Sequence, residues 1–450
     1  MRNPMTSPLR SLSVLALGLA LAPAASASGF LLREQSAAGL GNAFAGASAG
    51  SQDLSSMFWN PAVLPVFGGR EVSLGGSWIG IHMDLTGASA SRSPVFQPAD
   101  RPIAGGGPDL PNAVSQPILP ALYLSWPVTD RVYLGFSVNV PFGLVTEYPA
   151  DFIGRYHALK TDLKTYDFAP SVAYKADGGW TFGAAFVARK AEATLSSAVD
   201  FGAIGNALGL PGFVPGARDA VSTLKGDCWA YGWKAGFTWQ ATPDLRIGAG
   251  YQAKATLKVK GNVTYSAVPA PLDTTFVNAP GAADVHLPAT ASAGFTWDLS
   301  PAFSLQGEGA WTGWSDFREL RVRFGSAQPD SVTNESWKDT FFVSLGGIWK
   351  AAPGWAVKAG LAYDRSPVDD RHRTPRIPDA NRTWASAGVS WQASPAITWD
   401  LGLTRIFGQR SRLALTSGVD PAGPDFYRGN LSGAYDVGAT IVALSGRFRF

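Results

Sequence analysis

Trp229-Ala-Tyr231-Gly-Trp233-Lys-Ala235-Gly-Phe237-Thr-Trp239-Gln240 carries an apolar, mostly aromatic residue at every odd position and a small or polar one at every even position. Successive side chains of a β-strand point to opposite faces, so the stretch is a strand with one aromatic face. A water-soluble strand hides such a face under a second layer. Here the pattern recurs along the chain and no helical segments supply that layer, so the aromatic face is expected to meet hydrocarbon. Strands alternating apolar-out and polar-in build a transmembrane β-barrel.

The two ends of the chain agree. Val442, Leu444, Phe448 and terminal Phe450 share one face, with Ser445, Arg447 and Arg449 on the other, so a strand runs to the last residue. An aromatic at the end of the final strand is similar to the signal by which the barrel assembly machinery of bacteria recognises outer-membrane proteins. At the other end Arg2 and Arg10 precede an apolar run from Leu12 to Leu21 and the small residues Ala25-Ser26-Ala27. This is the pattern of a secretory signal peptide, expected over 1–27. The run is too short for a membrane-spanning helix.

Only 16% of residues are charged, yet no later apolar run is long enough for a membrane helix, so contact with lipid must come from alternating strands. The formal charge of +3 falls to +1 without the two leader arginines, which leaves no basic field for nucleic acid. One cysteine, Cys228, rules out an intramolecular disulfide and reads as a small residue at a strand start. The four histidines, at 82, 157, 286 and 372, show no metal-ligand spacing, and no cofactor is expected.

Fourteen segments have strand character, near 71–85, 120–128, 131–141, 165–175, 179–195, 228–240, 244–262, 287–299, 302–323, 337–350, 354–365, 382–393, 396–415 and 433–450. Their connections alternate strictly between short and long. Short turns fall at Thr129-Asp130, Ala176–Gly179, Thr242–Asp244, Ser300-Pro301, Ala352–Gly354 and Ser394-Pro395. Long connections lie near 86–119, 142–164, 196–227, 263–286, 324–336, 366–381 and 416–432. Outer-membrane barrels have short periplasmic turns and long outside loops, so both termini are expected in the periplasm. The expected fold is thus an all-β, fourteen-stranded antiparallel barrel over 71–450. Residues 28–70 are small, mildly apolar and almost uncharged, unlike a disordered tail, and are expected to plug the lumen as a hatch.

Gly39-Leu-Gly41-Asn-Ala-Phe44-Ala-Gly46 lacks the preceding strand and following acid of a nucleotide loop; its glycines suit close passage along barrel walls. Asp369-Asp370-Arg371-His372 could suggest a barrel hydrolase. Its neighbours Arg373, Arg376, Asp379 and Arg382 make a charged network tying loop to wall the better account, and no enzyme activity is expected. The third strand ends in Val140-Pro141-Phe142-Gly143. Proline removes a ladder donor and glycine permits a bend, so Pro141 and Gly143 mark either a simple strand end or a break in the wall. The connection 196–227 carries Phe201, Ile204, Leu208, Leu210, Phe213 and Val214, which either bind an apolar ligand or pack on one another over the barrel mouth.

These features, in order, resemble the FadL family of outer-membrane transporters for long-chain fatty acids and other hydrophobic compounds. The resemblance covers the chain after the leader. It rests on Ser28-Gly-Phe30, Gly39-Leu-Gly41, Asn60-Pro61-Ala62, Pro141–Tyr148, Trp311–Phe317, Trp337-Lys-Asp339, Asp364–Pro367 and Ile377-Pro378-Asp379 with Arg382. It implies a hatch bearing Asn60-Pro61-Ala62, a groove between outside loops, an interior pocket, and a third-strand kink at Gly143 through which substrate leaves sideways into the membrane. It implies passive uptake gated by ligand, with a long-chain fatty acid as substrate or, alternatively, an aromatic or alkane hydrocarbon. Fatty-acid transporters of the family place two basic residues at the carboxylate. One matches Arg321, and the other falls near Ser196-Ser197, where no cation stands. Phe30 is expected to fill part of the pocket and to shift when ligand enters. Partners beyond the substrate are the lipid and lipopolysaccharide of the outer membrane, and the protein is expected to be a monomer.

Overall fold

The computed structural model describes residues 29–51, 53–96, 102–114, 116–423 and 425–450. The expected leader, 1–27, lies outside the described residues. The strands are β1 (Glu71–Ser91), β2 (Ile118–Pro127), β3 (Val132–Asn139 and Gly143–Glu147), β4 (Lys160–Lys175) and β5 (Trp180–Asp200). They continue as β6 (Asp219–Gln240), β7 (Leu245–Gln252 and Ala255–Tyr265), β8 (Ala279–Leu287 and Thr290–Ser300) and β9 (Phe303–Thr312 and Glu319–Phe324). The last are β10 (Ser331–Asn334 and Thr340–Ala352), β11 (Trp355–Asp364), β12 (Arg382–Ser394), β13 (Ile397–Gly408 and Ser411–Leu415) and β14 (Asn430–Arg449). Neighbours pair antiparallel, and β14 pairs with β1 from Arg449↔Glu71 to Asn430↔Ser91, so the fourteen described strands close into a barrel.

The period of two sets the two faces. On β6, Trp229, Tyr231 and Trp233 are each at least half exposed on the outside, whereas Lys234 and Thr238 are buried inside. Across the β5–β6 ladder the outward rings stack, Trp180 on Trp239 at 5.2 Å and Phe186 on Tyr231 at 5.9 Å. Unpaired backbone groups are costly in lipid, which is why closure, and no edge strand, is the stable answer.

Two departures from the sequence reading have physical causes. Several strands run further toward the long connections than expected: β6 begins at Asp219, not near 228. There the outward row turns from aromatic to Lys225, Asp227 and Thr223, so the lipid-facing signal stops while backbone pairing continues. Six strands are broken in two, whereas a break was anticipated only in the third. In β9 the single turn Trp314–Asp316 makes the interruption.

The N-terminal segment lies in the lumen as a chain of short helical turns, Ala37–Leu40, Ala47–Ala49, Leu54–Phe58, Pro61–Val63 and Leu64–Phe67. Ser36, Asp53 and Asn60 cap three of them through their side chains, with Pro61 pre-set at the first position after Asn60. Wall glycines make room for this segment all round the barrel. A Cβ on Gly183 of β5 would lie 2.3 Å from the Ala62 nitrogen, on Gly248 of β7 2.1 Å from the Ser48 oxygen, and on Gly360 of β11 2.2 Å from the Asn42 oxygen. Asn60 anchors the segment to β6, its amide donating to the carbonyl oxygens of Ser48 at 2.7 Å and Phe237 at 2.8 Å.

Candidate functional site: two cavities either side of Phe30

The break in β3 opens the wall. Val132–Asn139 pairs with both β2 and β4, but Gly143–Glu147 pairs with β4 alone. Between Leu122↔Val138 and the lone bridge Val114↔Thr146, β2 and β3 are not joined. Pro141 has no N–H to offer β2. The lumenal segment takes up the freed groups instead: Leu32 donates to the Pro141 carbonyl at 2.8 Å, and Gly143 donates to the Phe30 carbonyl at 3.1 Å. Thr165 on β4 holds the break from its other side, accepting from the Phe142 amide at 3.0 Å and donating to the Phe142 carbonyl at 2.8 Å.

Behind this slot is a side cavity of about 1150 Å³ counting its open mouth, lined by Phe30, Leu32, Ile79, Met83, Leu119, Val140, Gly143 and Leu163 among others. Its few charged groups include Glu34, Lys164, Asp379 and Arg382. Arg382 is already engaged, donating to Asp379 at 2.7 Å, and the same carboxylate accepts from the Gly29 amide at 3.1 Å.

A second, smaller cavity, of about 420 Å³ counting space open to solvent, lies under the long connections. Leu195, Leu224, Val263, Leu320, Val322 and Phe324 give it apolar walls, and Arg376 and Arg428 reach it from two different loops. Arg428 is held by Asp425 at 2.8 Å, Thr333 at 3.1 Å and Ser331 at 3.0 Å. Arg376 differs. It donates only to neutral oxygens, the Lys160 carbonyl at 3.2 Å and the Thr161 hydroxyl at 3.3 Å, and makes no ion pair among the described residues. Burial, and then Arg428 beside it, push its pKa down to about 10, so it stays charged at neutral pH. Burial likewise pushes the nearby Glu335 carboxyl up to about 8, so it is mostly protonated there, with the Trp337 indole donating to it at 3.0 Å. A buried guanidinium without a counter-ion is costly, and an incoming anion lowers that cost.

One buried cluster, rich in aromatic rings, reaches both cavities, with Phe30 on the side cavity and Leu320 on the mouth cavity. Phe30, 3% exposed, packs against Trp314 at 4.8 Å, Phe317 and Trp337 at 5.7 Å, and Phe142 at 6.0 Å between ring centres. Arg376 lines the mouth cavity and its neighbour Ile377 the side cavity, so the two spaces are one residue apart along this loop.

Of the residues singled out in the sequence, Phe30 and Gly143 line the side cavity, and Pro141 stands in the slot beside it. Asn60, Pro61 and Ala62 line neither cavity; they fasten the lumenal segment to the wall near the short turns. Arg321 does not reach either cavity. Leu320 and Val322 take the inward positions of β9, which leaves Arg321 on the outer face, paired with Glu319 at 2.7 Å and Asp330 at 3.1 Å. Phe201 and Phe213 are buried, but in their own cluster with Ala220 and Leu272, and Leu208 is 63% exposed. The apolar loop packs on itself, which was the alternative reading. Arg373 and Arg382 do tie their loop down, bonding Asp370 at 2.6 Å and Asp379 at 2.7 Å; Arg376 of the same network is the exception that sequence reading passed over.

A family model described as outer membrane protein transport protein (OMPP1/FadL/TodX) matches residues 18–450. The long-chain fatty acid transport protein of Escherichia coli O6:H1 is 28% identical over 435 residues, covering 90% of this chain and 93% of that protein. A 47 kDa outer membrane protein of Pasteurella multocida is 29% identical, covering 89% and 92%. Among solved structures, a Pseudomonas aeruginosa FadL homologue superposes with a TM-score of 0.81 at 25% identity, over 94% of this chain and all of that one. The Ralstonia pickettii toluene transporter TbuX shares the fold at a TM-score of 0.62 and 19% identity, over 89% and 94%. The barrel, its broken third strand and the match along nearly its whole length make one conclusion: this chain belongs to the FadL family of outer-membrane transport proteins, and is a transporter, not an enzyme.

Proposed function

We propose that this transporter takes up long-chain fatty acids. The observation that carries the reading is Arg376, a buried guanidinium without an ion pair among the described residues, set beside Arg428 on a mouth cavity whose other walls are six apolar side chains and the hydroxyls of Ser197, Ser222, Ser331 and Thr333. The carboxylate is received there, the acyl chain passes the Phe30 rings into the side cavity, and release is through the slot between β2 and β3 into the membrane. Residues 28–70 act as the hatch, fixed at Asn60-Pro61-Ala62 and adjustable near Phe30. The flow is passive. Burying roughly fourteen methylenes is worth on the order of 11 kcal/mol before ordering costs, so capture is easy and release needs a change in the pocket. The segment from Phe30 to Leu32, hydrogen-bonded to the slot itself, is placed to make that change.

The long connections face outward and both termini the periplasm in this reading. The Phe450 amide donates to the Arg70 carbonyl at 3.1 Å, so both ends of the barrel chain sit at the short-turn rim, in keeping with that orientation. One observation favours hydrocarbons instead: the side cavity is nearly all apolar and its arginine is already paired.

Equilibrium binding of labelled oleate and labelled toluene to wild type and Arg376→Gln separates the two. Loss of a charge-assisted pair should weaken oleate by about 10- to 100-fold and leave toluene unchanged. Oleate binding indifferent to the substitution would favour the hydrocarbon reading.

A further inference from the structure

We propose that the outer face of β4–β7, just above the aromatic belt, is a binding site for the phosphorylated glycolipid of the outer leaflet. The site is on the outer face of the wall and meets the open mouth of the side cavity only at Lys164, and it rests on the family reading only for which rim faces outward.

The outward residues of these strands change character over one or two steps. Phe168 and Trp229, 6.1 Å apart, and Phe186 and Tyr231 form the aromatic row. Immediately toward the long connections the register sets Lys164, Glu192, Asp227 and Lys260 side by side across four strands, with Lys225 beside Asn262 in the next row. Together they rim an open depression of about 1170 Å³, with the small residues Ala193, Gly226 and Gly261 among those lining it.

The lining sets Lys164, Lys190, Lys225 and Lys260 against Asp162, Glu192 and Asp227, an excess of one positive charge, and Lys258 beside it adds another. Lys164 is paired with Asp162 at 3.0 Å, and Lys190 with Asp227. Lys225, Lys258 and Lys260 are exposed, and among the described residues no carboxylate lies within ion-pair distance of them. Lys258 stands opposite Asp284 in the ladder, but Arg323 occupies that carboxylate at 2.8 Å. Three free ammonium groups above a hydrocarbon-facing aromatic row match a molecule with acyl chains below and phosphates above. Thr194 and Asn262, further from the belt, supply partners for sugar hydroxyls. A soluble anion would use the lysines alone, with no acyl chains to lie along the aromatic row beneath them.

The test uses the whole barrel in detergent, with diphosphoryl lipid A, monophosphoryl lipid A and phosphatidylglycerol as probes and native mass spectrometry as the readout. Wild type is compared with the triple variant Lys225→Gln, Lys258→Gln, Lys260→Gln, with the single variant Lys225→Gln, and with Lys350→Gln at the far rim. The expected result is diphosphoryl lipid A bound about tenfold more weakly by the triple variant, about two- to threefold more weakly by Lys225→Gln, and unchanged by Lys350→Gln. Monophosphoryl lipid A should bind more weakly than the diphosphoryl form, and raised salt should weaken both. Wild-type affinity in the triple variant, or in the single variant where the triple does not assemble, would overturn the site, as would phosphatidylglycerol binding as tightly as lipid A. Oleate binding, read on the same samples, is expected to be unaffected, so failure of the glycolipid site and failure of the fatty-acid reading give different results.

Discussion

The mouth cavity and the side cavity each adjoin the buried cluster of Phe30, Trp314, Phe317 and Trp337, the one through Leu320 and the other through Phe30, and differ in what their arginines are doing. In the side cavity Arg382 is neutralised by Asp379, which also holds the Gly29 amide, so this charge belongs to the scaffold of the lumenal segment. In the mouth cavity Arg376 rests on a carbonyl and a hydroxyl, with its nearest acid, Glu335, mostly protonated. On the proposed reading, one space receives a headgroup and the other offers little beyond a hydrocarbon surface and a way out. That reading divides capture and release between two places, with a ligand held by its carboxylate at one presenting its chain to the other.

The strongest way to break this division is at the slot. A Cβ on Gly143 would lie 2.9 Å from the Leu32 side chain, so Gly143→Val crowds the opening with a branched group. Uptake of oleate into cells should fall by about tenfold or more while binding at the mouth changes less than about twofold. Normal uptake by an assembled variant would remove the lateral exit from the account. The next test is at the aromatic cluster that reaches both cavities. Phe30→Ala removes the ring packed on Trp314, Phe317 and Trp337, at a cost of about 3 kcal/mol of stability. Affinity and uptake should both shift, several-fold by order of magnitude; if neither moves, Phe30 is packing alone.

Glu335 sharpens the comparison through pH. Its folded-state pKa is raised to about 8, so the fold holds a proton that the unfolded chain has already lost, and stability declines as pH climbs from the ordinary carboxyl range to 8. Above that the new carboxylate faces Arg376 and Arg428, with Asp425 alongside, and competes with a bound fatty acid. Oleate affinity measured from pH 6.5 to about 9 should therefore drop at the alkaline end in wild type and stay level in Glu335→Gln. The smallest effect is expected at Arg321→Ala. An exposed pair of this kind contributes about 0–1 kcal/mol, and oleate affinity should be unchanged within about twofold.

The barrel was readable because lipid enforces a rule on every strand: odd-numbered Trp229 to Trp239 must face out, and each wall residue between them must face in. Loop lengths then gave the two rims. The breaks were less visible, since a gap such as the one after Thr312 depends on the wall's curvature and leaves only Gly313 as a local mark. Arg321 shows a different limit. The two-residue period carried from outward Trp311 already points Arg321 outward, and it was likeness to the family that put it inside. Arg376 could not be found from its neighbours in sequence. It lies in a loop with Arg373 and Arg382, all similar on paper, and only the folded loop decides that two find acids and the third faces a cavity. Inspecting which charged loop residue lacks an acid three positions before it would have offered a weak hint: Arg373 follows Asp370 and Arg382 follows Asp379 at that spacing, whereas Arg376 follows Arg373 and the acid three positions after it, Asp379, is taken by Arg382.

The central claim, that the mouth arginine holds the carboxylate while the chain points toward Phe30, is tested most directly by a crystal structure of the barrel soaked with a fatty acid brominated at its methyl end. The account predicts the carboxylate within hydrogen-bond distance of Arg376 and the anomalous bromine peak on the Phe30 side of the mouth cavity or beyond it. A carboxylate on Arg382 or Arg321, or a bromine peak among the outside loops, would contradict it.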